Sequence, residues 1–369
     1  MFISSCDTDS VVAAILDMDI RDDQSLFIML GGEGKIDLQV LVDALNKSAI
    51  SFWGGVFPGI IHGEQKYEKG AIVIPFPILE KPLLVRGLDT EDIRLPNLKK
   101  IIAKFDQKYA AIVLVDGLSR NIDGFLNLLY DNLANSVNYF GGGAGFLNLQ
   151  QDPCVFTNRG VFQSAAVITF VKLKCRLGFR HGWKRVMRPV IATKTDKNKI
   201  IELNWRSAFD VYSEIIKRDL GKIITKENFF DIAKNNPFGM LKDTIIRSPV
   251  AVDNNGCLIC VGGVPENSVL DILKGDAASL VNAAAEAAGE CQISSRARVT
   301  HGFIASCVSR ALFLEEEYHR ELREVKVKFQ GIKPHLLPVG MLTLGEISSH
   351  GREYLEFLNN TIVAGIMYE

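Results

Sequence analysis

The sequence lacks the features that mark secreted, membrane-spanning or strongly charged proteins. Its first residues, MFISSCDTDS, have no basic segment and carry acids within ten positions, so we expect no secretory signal. Its longest apolar runs, such as AIVIPFPIL, are far shorter than the roughly 18–20 residues that a spanning helix needs. Lys and Arg total 42 and Asp and Glu total 43, which does not favour nucleic acid or an anionic membrane surface as a partner. We therefore expect a cytoplasmic protein that binds neither.

Most local signatures of catalysis and metal binding are missing as well. The motifs G-x-S-x-G, H-E-x-x-H and D-x-D-x-D-G do not occur. Seven cysteines are scattered along the 369 residues, which predicts free, buried thiols. Cys257 and Cys260 form a C-x-x-C, but a zinc site needs a second pair nearby, and positions i and i+3 of a strand face opposite sides. We expect two buried structural thiols there.

Short apolar runs and amphipathic patterns alternate through the first 136 or so residues. SLFIML and AAIVLVDG are typical of strands, and IDLQVLVDALNKS predicts a helix with Asp37 as its N-cap. Between residues 154 and 205, β-branched and aromatic runs predict antiparallel strands. The sequence thus predicts a mixed α+β chain of two sheet-and-helix domains, residues 1–205 and 206–369. In this interpretation α/β units come first and antiparallel strands follow. We find no repeat of 20–50 residues.

The stretch NYFGGGAGF carries four glycines in five positions. It is no P-loop, because no Lys-Ser/Thr follows, and it fails as G-x-G-x-x-G because Phe146 occupies the sixth position. Both phosphate motifs also need a following helix, whereas LNLQQDPCVF indicates a turn and a strand. Two interpretations stay open. The cluster is a close-packed strand end, or Gly142 and Gly143 form the wall of a small-ligand pocket.

The segment LGFRHGW places His181 beside Gly182 and Trp183. A titratable ring in basic surroundings can bind an anion or ligate a metal or haem iron. The alternative is a solvated basic hairpin with a packed Trp. The basic neighbours are Lys174, Arg176, Arg180, Lys184, Arg185 and Arg188.

Two lone charges, Arg310 and Glu346, follow apolar strands near the C-terminus. Because a charge in such a position is rarely buried without a partner, we hypothesise an Arg310–Glu346 pair. It serves either as a structural salt bridge or as a clamp for a small polar ligand. His301 and Cys307 lie about 20 Å apart along one extended strand and cannot form a nucleophile pair within it. Cys307 and Cys154 remain the candidates for a cysteine-dependent hydrolase.

Taken together and in order, several motifs resemble those of FIST-domain proteins. SFWGGVFPGI and NYFGGGAGF resemble two glycine elements of that family, and LGFRHGW followed by VIATKTDKNKIIELNW resembles its H-G-W region. HGFIASCVSRALF, PVGMLTLGEIS and LEFLNNTIVAGIMYE resemble its closing motifs, with Asn359 in the H-N-x-T position. The similarity spans about residues 20 to 369. Ser309, Asn204 and Leu358 depart from the usual Gly, Asp and His.

The resemblance implies a non-enzymatic sensory protein, FIST-N followed by FIST-C, that binds an amino acid or related metabolite and signals through a partner. Some stand-alone members look like haem proteins that sense nitric oxide and act on histidine kinases or cyclic-di-GMP enzymes. The cofactor stays open, with haem as a candidate, His181 as its first axial ligand, and His301 and His62 behind it. A pure interaction scaffold is a further hypothesis. The predicted ligand-binding residues are His181, Trp183, Arg310, Glu346, Gly142, Gly143 and Asn359.

Overall fold

The computed structural model describes residues 1–185, 189–240, 245–349 and 355–369. It has a mixed α+β fold, which confirms the predicted class. Its strands and helices form three similar units, each with two or three helices and six strands, and one lobe inserted into the third unit. Among the described residues, no helix is both long and apolar enough to cross a membrane.

The first two units follow one another along the chain and contain the same order of elements. Unit 1 comprises β1 (Phe2–Ile3), α1 (Thr8–Leu16), β2 (Gln24–Gly31), α2 (Leu38–Lys47), β3 (Phe52–Phe57), β4 (Gly59–His62), β5 (Gln65–Tyr67) and β6 (Ala71–Pro77). Unit 2 comprises β7 (Leu83–Arg86), α3 (Leu98–Ile102), β8 (Tyr109–Asp116), α4 (Ile122–Leu133), β9 (Val137–Ala144), β10 (Val155–Thr157), β11 (Gly160–Phe162) and β12 (Ala165–Val171).

The third unit begins with β13 (Lys174–Arg180) and is then interrupted by the lobe. The lobe comprises β14 (Lys184–Arg185), β15 (Val190–Asp196), β16 (Lys199–Leu203), β17 (Arg206–Ser207), α5 (Ala208–Leu220), α6 (Phe229–Ala233), β18 (Phe238–Met240), β19 (Ile245–Arg247), β20 (Pro249–Val252), β21 (Leu258–Cys260) and β22 (Ser268–Lys274). Unit 3 resumes with α7 (Ala277–Gly289), β23 (Val299–Cys307), α8 (Val308–Leu314), α9 (Tyr318–Ile332), β24 (Pro338–Thr343), β25 (Glu346–Ser348), β26 (Glu356–Leu358) and β27 (Ile362–Tyr368).

Three six-stranded sheets share one topology. Their strand orders are β1-β6-β2-β3-β10-β11, β7-β12-β8-β9-β25-β26 and β13-β27-β23-β24-β4-β5. In each sheet the third and fourth strands are parallel and every other pairing is antiparallel. The last two strands of each sheet form a hairpin that another unit supplies, so unit 1 gives β4–β5 to sheet 3, unit 2 gives β10–β11 to sheet 1, and unit 3 gives β25–β26 to sheet 2. The three units are therefore interlaced in a closed ring.

Glycines mark the same position in all three parallel pairs. An added Cβ at Gly54, Gly141 or Gly340 would lie 2.0, 1.8 or 1.9 Å from the carbonyl oxygen of the residue paired with it on the parallel strand. Real side chains never approach a backbone oxygen so closely, so only glycine allows this strand spacing. The structure thus contains an internal threefold repeat, although we found no repeat in the sequence.

The inner faces of the three sheets meet around aromatic side chains. The ring of Phe303 in sheet 3 lies 6.4 Å from Phe27 and 5.8 Å from Phe76 of sheet 1, and 5.6 Å from Phe140 of sheet 2. Two helices of each unit pack against each other beside their sheet: α1 with α2, α3 with α4, and α7 with α9. The three units therefore share one central core.

The lobe has a separate core, built from its strands and α5. The predicted boundary at residue 205 lies inside this lobe, where β16 and β21 from either side of it pair. Sheets 2 and 3 likewise contain strands from both sides. Cys257 and Cys260 are free and 7% and 1% exposed, which confirms the expectation of buried thiols.

Candidate functional site

A cleft of about 1440 Å³ lies between the lobe and the carboxyl ends of the parallel strands of units 2 and 3. Ligands of α/β proteins characteristically bind at such strand ends, and cavities of several hundred Å³ hold small molecules. The main lining segments are residues 117–123 after β8, residues between 307 and 319 after β23, residues 344–345, 357 and 359–360, and lobe residues 248–250 and 259–263.

Two adjacent asparagines line the cleft and also attach the lobe to unit 3. Asn360 Nδ2 donates to Ser248 Oγ at 2.9 Å. Asn359 Nδ2 donates to the carbonyl oxygen of Val261 at 3.3 Å and lies 3.5 Å from that of Ile246. Any molecule that competes for these amides will therefore act directly on the contact between the lobe and unit 3.

Glu346 lies behind the cleft residue Gly345 and is fully buried. Burial raises the pKa of Glu346 to about 8. Its Oε1 is 2.7 Å from Thr343 Oγ1, which is also 3.3 Å from the carbonyl oxygen of Ser306. Thr343 Oγ1 donates to Oε1, and the N–H of Thr361 donates to Oε2 at 3.2 Å. These hydrogen bonds lower the pKa of Glu346, but burial is the larger effect and the net shift favours the neutral acid.

The two cysteines proposed as nucleophiles are both buried. Cys307 lines the cleft at 6% exposure, and burial raises its pKa to about 12, with the neighbouring Glu346 adding to the shift. Cys154 is fully buried, and burial raises its pKa well above the usual range. A thiol reacts as its thiolate, so neither residue is activated for attack. This arrangement does not favour a cysteine-dependent hydrolase.

Arg310 is fully buried and all five of its N–H groups have protein acceptors. Its Nε and Nη2 donate to Glu321 of α9 at 3.1 and 2.7 Å. Nη2 also donates to the carbonyl oxygen of Leu280 at 3.0 Å, and Nη1 donates to those of Asn360, at 3.0 Å, and His181. The guanidinium thereby joins β13, α7, α9 and the loop before β27.

The hypothesis of a direct Arg310–Glu346 pair is wrong, because the salt-bridge partner of Arg310 is Glu321. With every donor already used, Arg310 has none left to hold a ligand in this arrangement. Sequence reasoning missed Glu321 because it is one of several acids in LEEEYHRELREVKVKF. Glu321 differs from the other acids in its spacing: it is next to Leu322 and three residues after Tyr318, and all three lie on the buried face of α9.

His181 and Trp183 lie outside the cleft lining. The backbone N–H of Trp183 donates to His181 Nδ1 at 2.9 Å. Trp183 is 4% exposed, and its indole ring packs with its centroid 5.1 Å from that of Phe313. Phe313 itself lines the cleft, so Trp183 supports its wall from behind. The basic residue Arg185 pairs with Asp271, and the predicted cluster member Arg188 lies outside the described residues.

The three histidines proposed as haem ligands do not fit a haem in this cleft. None of them lines it. The rings of His62 and His301 lie on sheet 3, 4.9 Å from Phe2 and 5.1 Å from Phe76, and burial lowers the pKa of His301 to about 4. Within the described parts of the chain, no group of three or more His, Cys, Asp or Glu residues is placed to hold a metal ion.

The glycine cluster is a close-packed strand end in this structure. A Cβ on Gly142 would lie 2.5 Å from Thr343 Cγ2, and one on Gly143 would lie 2.4 Å from the carbonyl oxygen of Leu344. The N–H of Gly143 donates to Gly345 at 2.8 Å, so it is not free for a ligand. Leu344 and Gly345 line the cleft in place of the glycines beneath them.

Of the seven residues that the sequence suggested for ligand binding, Asn359 lines the cleft and the other six do not. Sequence reasoning missed Asn360 and the turn Ser119–Arg120–Asn121. The available signal was the segment VDGLSRNIDG, in which a strand ends in glycines and polar residues, a pattern that occurs both in ordinary turns and at ligand sites.

Comparison with protein-family models gives two adjacent matches. The FIST N domain model matches residues 25–206, and the FIST C domain model matches residues 208–349. No curated protein matches the sequence.

Proposed function

Because the chain belongs to the FIST-domain family, we propose that it is a non-enzymatic sensor that binds one small ligand in the cleft between the lobe and units 2 and 3. FIST domains are commonly regarded as small-ligand-binding sensory domains in signal transduction. The proposed ligand is an amino acid or a related metabolite, and the proposed output is a contact with a partner signalling protein such as a histidine kinase.

The position of Asn359 and Asn360 carries this proposal. Both amides line the cleft and both hold the lobe, Asn360 through Ser248 and Asn359 through the carbonyl oxygens of Val261 and Ile246. A ligand that takes over one amide exchanges a lobe contact for a ligand contact at little net cost, because each such bond is worth only about 1 kcal/mol. Binding then shifts the position of the lobe, which is a change that a partner protein can recognise.

A thermal-shift screen of amino acids and related metabolites tests the proposal, followed by calorimetry on any compound that raises the Tm. We expect N359A and N360A to weaken binding about tenfold, since one or two hydrogen bonds of ~1 kcal/mol are lost. N46A is the matched control, because the side-chain amide of Asn46 also makes hydrogen bonds, to Asn158, but does not line the cleft. Equal affinity in all four proteins would place the site elsewhere.

The alternative raised by the family resemblance is a haem-bound nitric oxide sensor acting on a histidine kinase or a cyclic-di-GMP enzyme. The positions of His181, His301 and His62 away from the cleft do not favour it. An absorption spectrum after addition of hemin tests it directly. A sharp Soret band that survives desalting, shifts with nitric oxide and is lost in H181A would support this alternative over the colourless ligand.

A further inference from the structure

Ser119 is a buried hydroxyl without a partner. It is 9% exposed, lines the cleft, and its Oγ has no hydrogen-bond partner among the described residues. Nearly all buried hydroxyl groups in proteins are hydrogen-bonded, so an orphan at the edge of a cavity indicates a group that a ligand or water satisfies. Its backbone is fixed by a hydrogen bond from its N–H to Asp116, which holds the hydroxyl beside the cleft.

The amino end of α4 lies directly after Ser119 and faces the same cleft. The side chain of its N-cap, Asn121, makes no hydrogen bond to the first turn and donates instead to the carbonyl oxygen of Thr90 at 2.8 Å. In unit 1 the equivalent helix α2 is capped, because Asp37 Oδ1 accepts from two first-turn amides at 2.9 and 3.0 Å. The amino end of the 12-residue helix α4 therefore has no capping hydrogen bond from its N-cap side chain, and Asp123 is the acid in its first turn.

The charges around this point favour an anion. Arg120 is exposed in the cleft wall, and Lys197 of the lobe lines the same cleft. The N–H of Arg120 donates to Asp89 at 2.8 Å, which fixes the backbone of the turn and occupies that carboxylate. Asp123, the acid nearest the helix start, accepts from the N–H of Gly263 at 3.2 Å. Asp89 and Asp123 are thus engaged with backbone donors, and the other acids of the cleft lining, Glu64, Glu315 and Glu316, lie on units 1 and 3.

We propose that the start of α4 is an oxyanion subsite, where Ser119 Oγ, the Arg120 guanidinium and the first-turn amides of α4 bind a carboxylate or phosphate group of the ligand. Charge-assisted hydrogen bonds from guanidinium, hydroxyl and helix amides are the usual set of donors for such groups. This inference rests on the proposed function, because it states where the cleft binds the anionic group of the proposed ligand.

Thermal shift of the full chain with small anions tests the subsite. Inorganic phosphate and sodium acetate are compared with sodium chloride at equal ionic strength and pH, and acetamide serves as the uncharged analogue. We expect phosphate or acetate, and not acetamide, to raise the Tm, with S119A and R120Q weakening the apparent affinity about tenfold. The stronger of the two anions identifies the group as phosphate or carboxylate.

S213A and R296Q are the matched controls. Ser213 is also a hydroxyl without a partner among the described residues, but it lies on α5 of the lobe, and Arg296 is exposed outside the cleft. The subsite is refuted if neither anion raises the Tm, or if S119A and R120Q respond like the wild type, which would indicate an adventitious ion only. A metabolite whose affinity depends on Asn359 and not on Ser119 or Arg120 would refute the subsite while leaving the proposed function intact.

Discussion

Glu346 is a single residue that departs from the threefold repeat. Its pairing with Gly142 corresponds to the pairing of Ile60 with Met341 and of Val155 with Gly55 in the other two sheets. Two of the three equivalent positions are therefore apolar and one carries an acid, although all three are fully buried. Burying an ionised carboxylate is costly, so burial favours the neutral form of this group.

The neutral state of Glu346 makes stability depend on pH. Its pKa is raised from 4.5 to about 8, so its contribution to stability is fully present below pH 4.5 and is lost as the pH rises through 8. We expect the free energy of unfolding of the wild type to fall by roughly 3–4 kcal/mol more than that of E346Q between pH 5 and pH 8. Urea unfolding at both pH values measures the difference.

E33Q is the control for this experiment, because Glu33 is exposed at the surface. Parallel pH dependence in the wild type, E346Q and E33Q would mean that Glu346 is ionised in the folded protein.

The buried ion pair of Arg310 and Glu321 joins elements that lie far apart in the chain. Removing one partner leaves the other charged and unpaired in the core, which typically costs 3–5 kcal/mol. We expect R310M to destabilise the protein by roughly this amount, as measured by urea unfolding. The double variant R310M/E321M should recover most of the loss, since replacing both charges by apolar side chains of similar volume is often neutral.

R323M provides the control on the same helix, because Arg323 is 55% exposed and its ion pair with Glu64 lies at the surface. We expect little change there. If R310M is as stable as R323M, or if the double variant is no more stable than R310M, then the Arg310–Glu321 pair does not stabilise the packing of these elements.

Several elements were predictable from the sequence because their signals are local. Asp37 caps α2 as expected, since an N-cap depends only on residues two and three positions later. The strand at residues 109–116 and the helix after it follow from periodicity alone. The need of Arg310 for a partner was also predictable, but the partner was not, because several acids in α9 compete and only packing selects Glu321.

The threefold repeat and the cleft could not be predicted, for a common physical reason. All three units agree in strand register and in one glycine each, Gly54, Gly141 and Gly340, whereas the next glycine is shared only by units 1 and 2 and the lobe interrupts unit 3. The cleft brings together segments near residues 119, 260, 309 and 359, whose proximity depends on sheets that exchange hairpins. Such long-range pairings leave no signal in a local pattern.

The exchange of hairpins also determines how the whole molecule folds. Each sheet needs strands from two units, and sheets 2 and 3 need strands from both sides of residue 205. Removal of the chain after that residue would deprive β9 of β25, β4 of β24, and β13 of β27. The two family models meet at this point, yet the sheets do not separate there.

We therefore expect the fragment 1–206 to fail to fold by itself. Its exposed strand edges and the uncovered inner face of its sheets favour aggregation over a compact state. Co-expression of fragments 1–206 and 207–369 should restore a soluble complex, because every missing strand is then available. Size-exclusion chromatography and circular dichroism with a urea titration distinguish the cases. A monomeric fragment 1–206 with a cooperative unfolding transition would show that the first half is an independent domain. The exchanged hairpins would then join two separately folded domains and would not be required for either to fold.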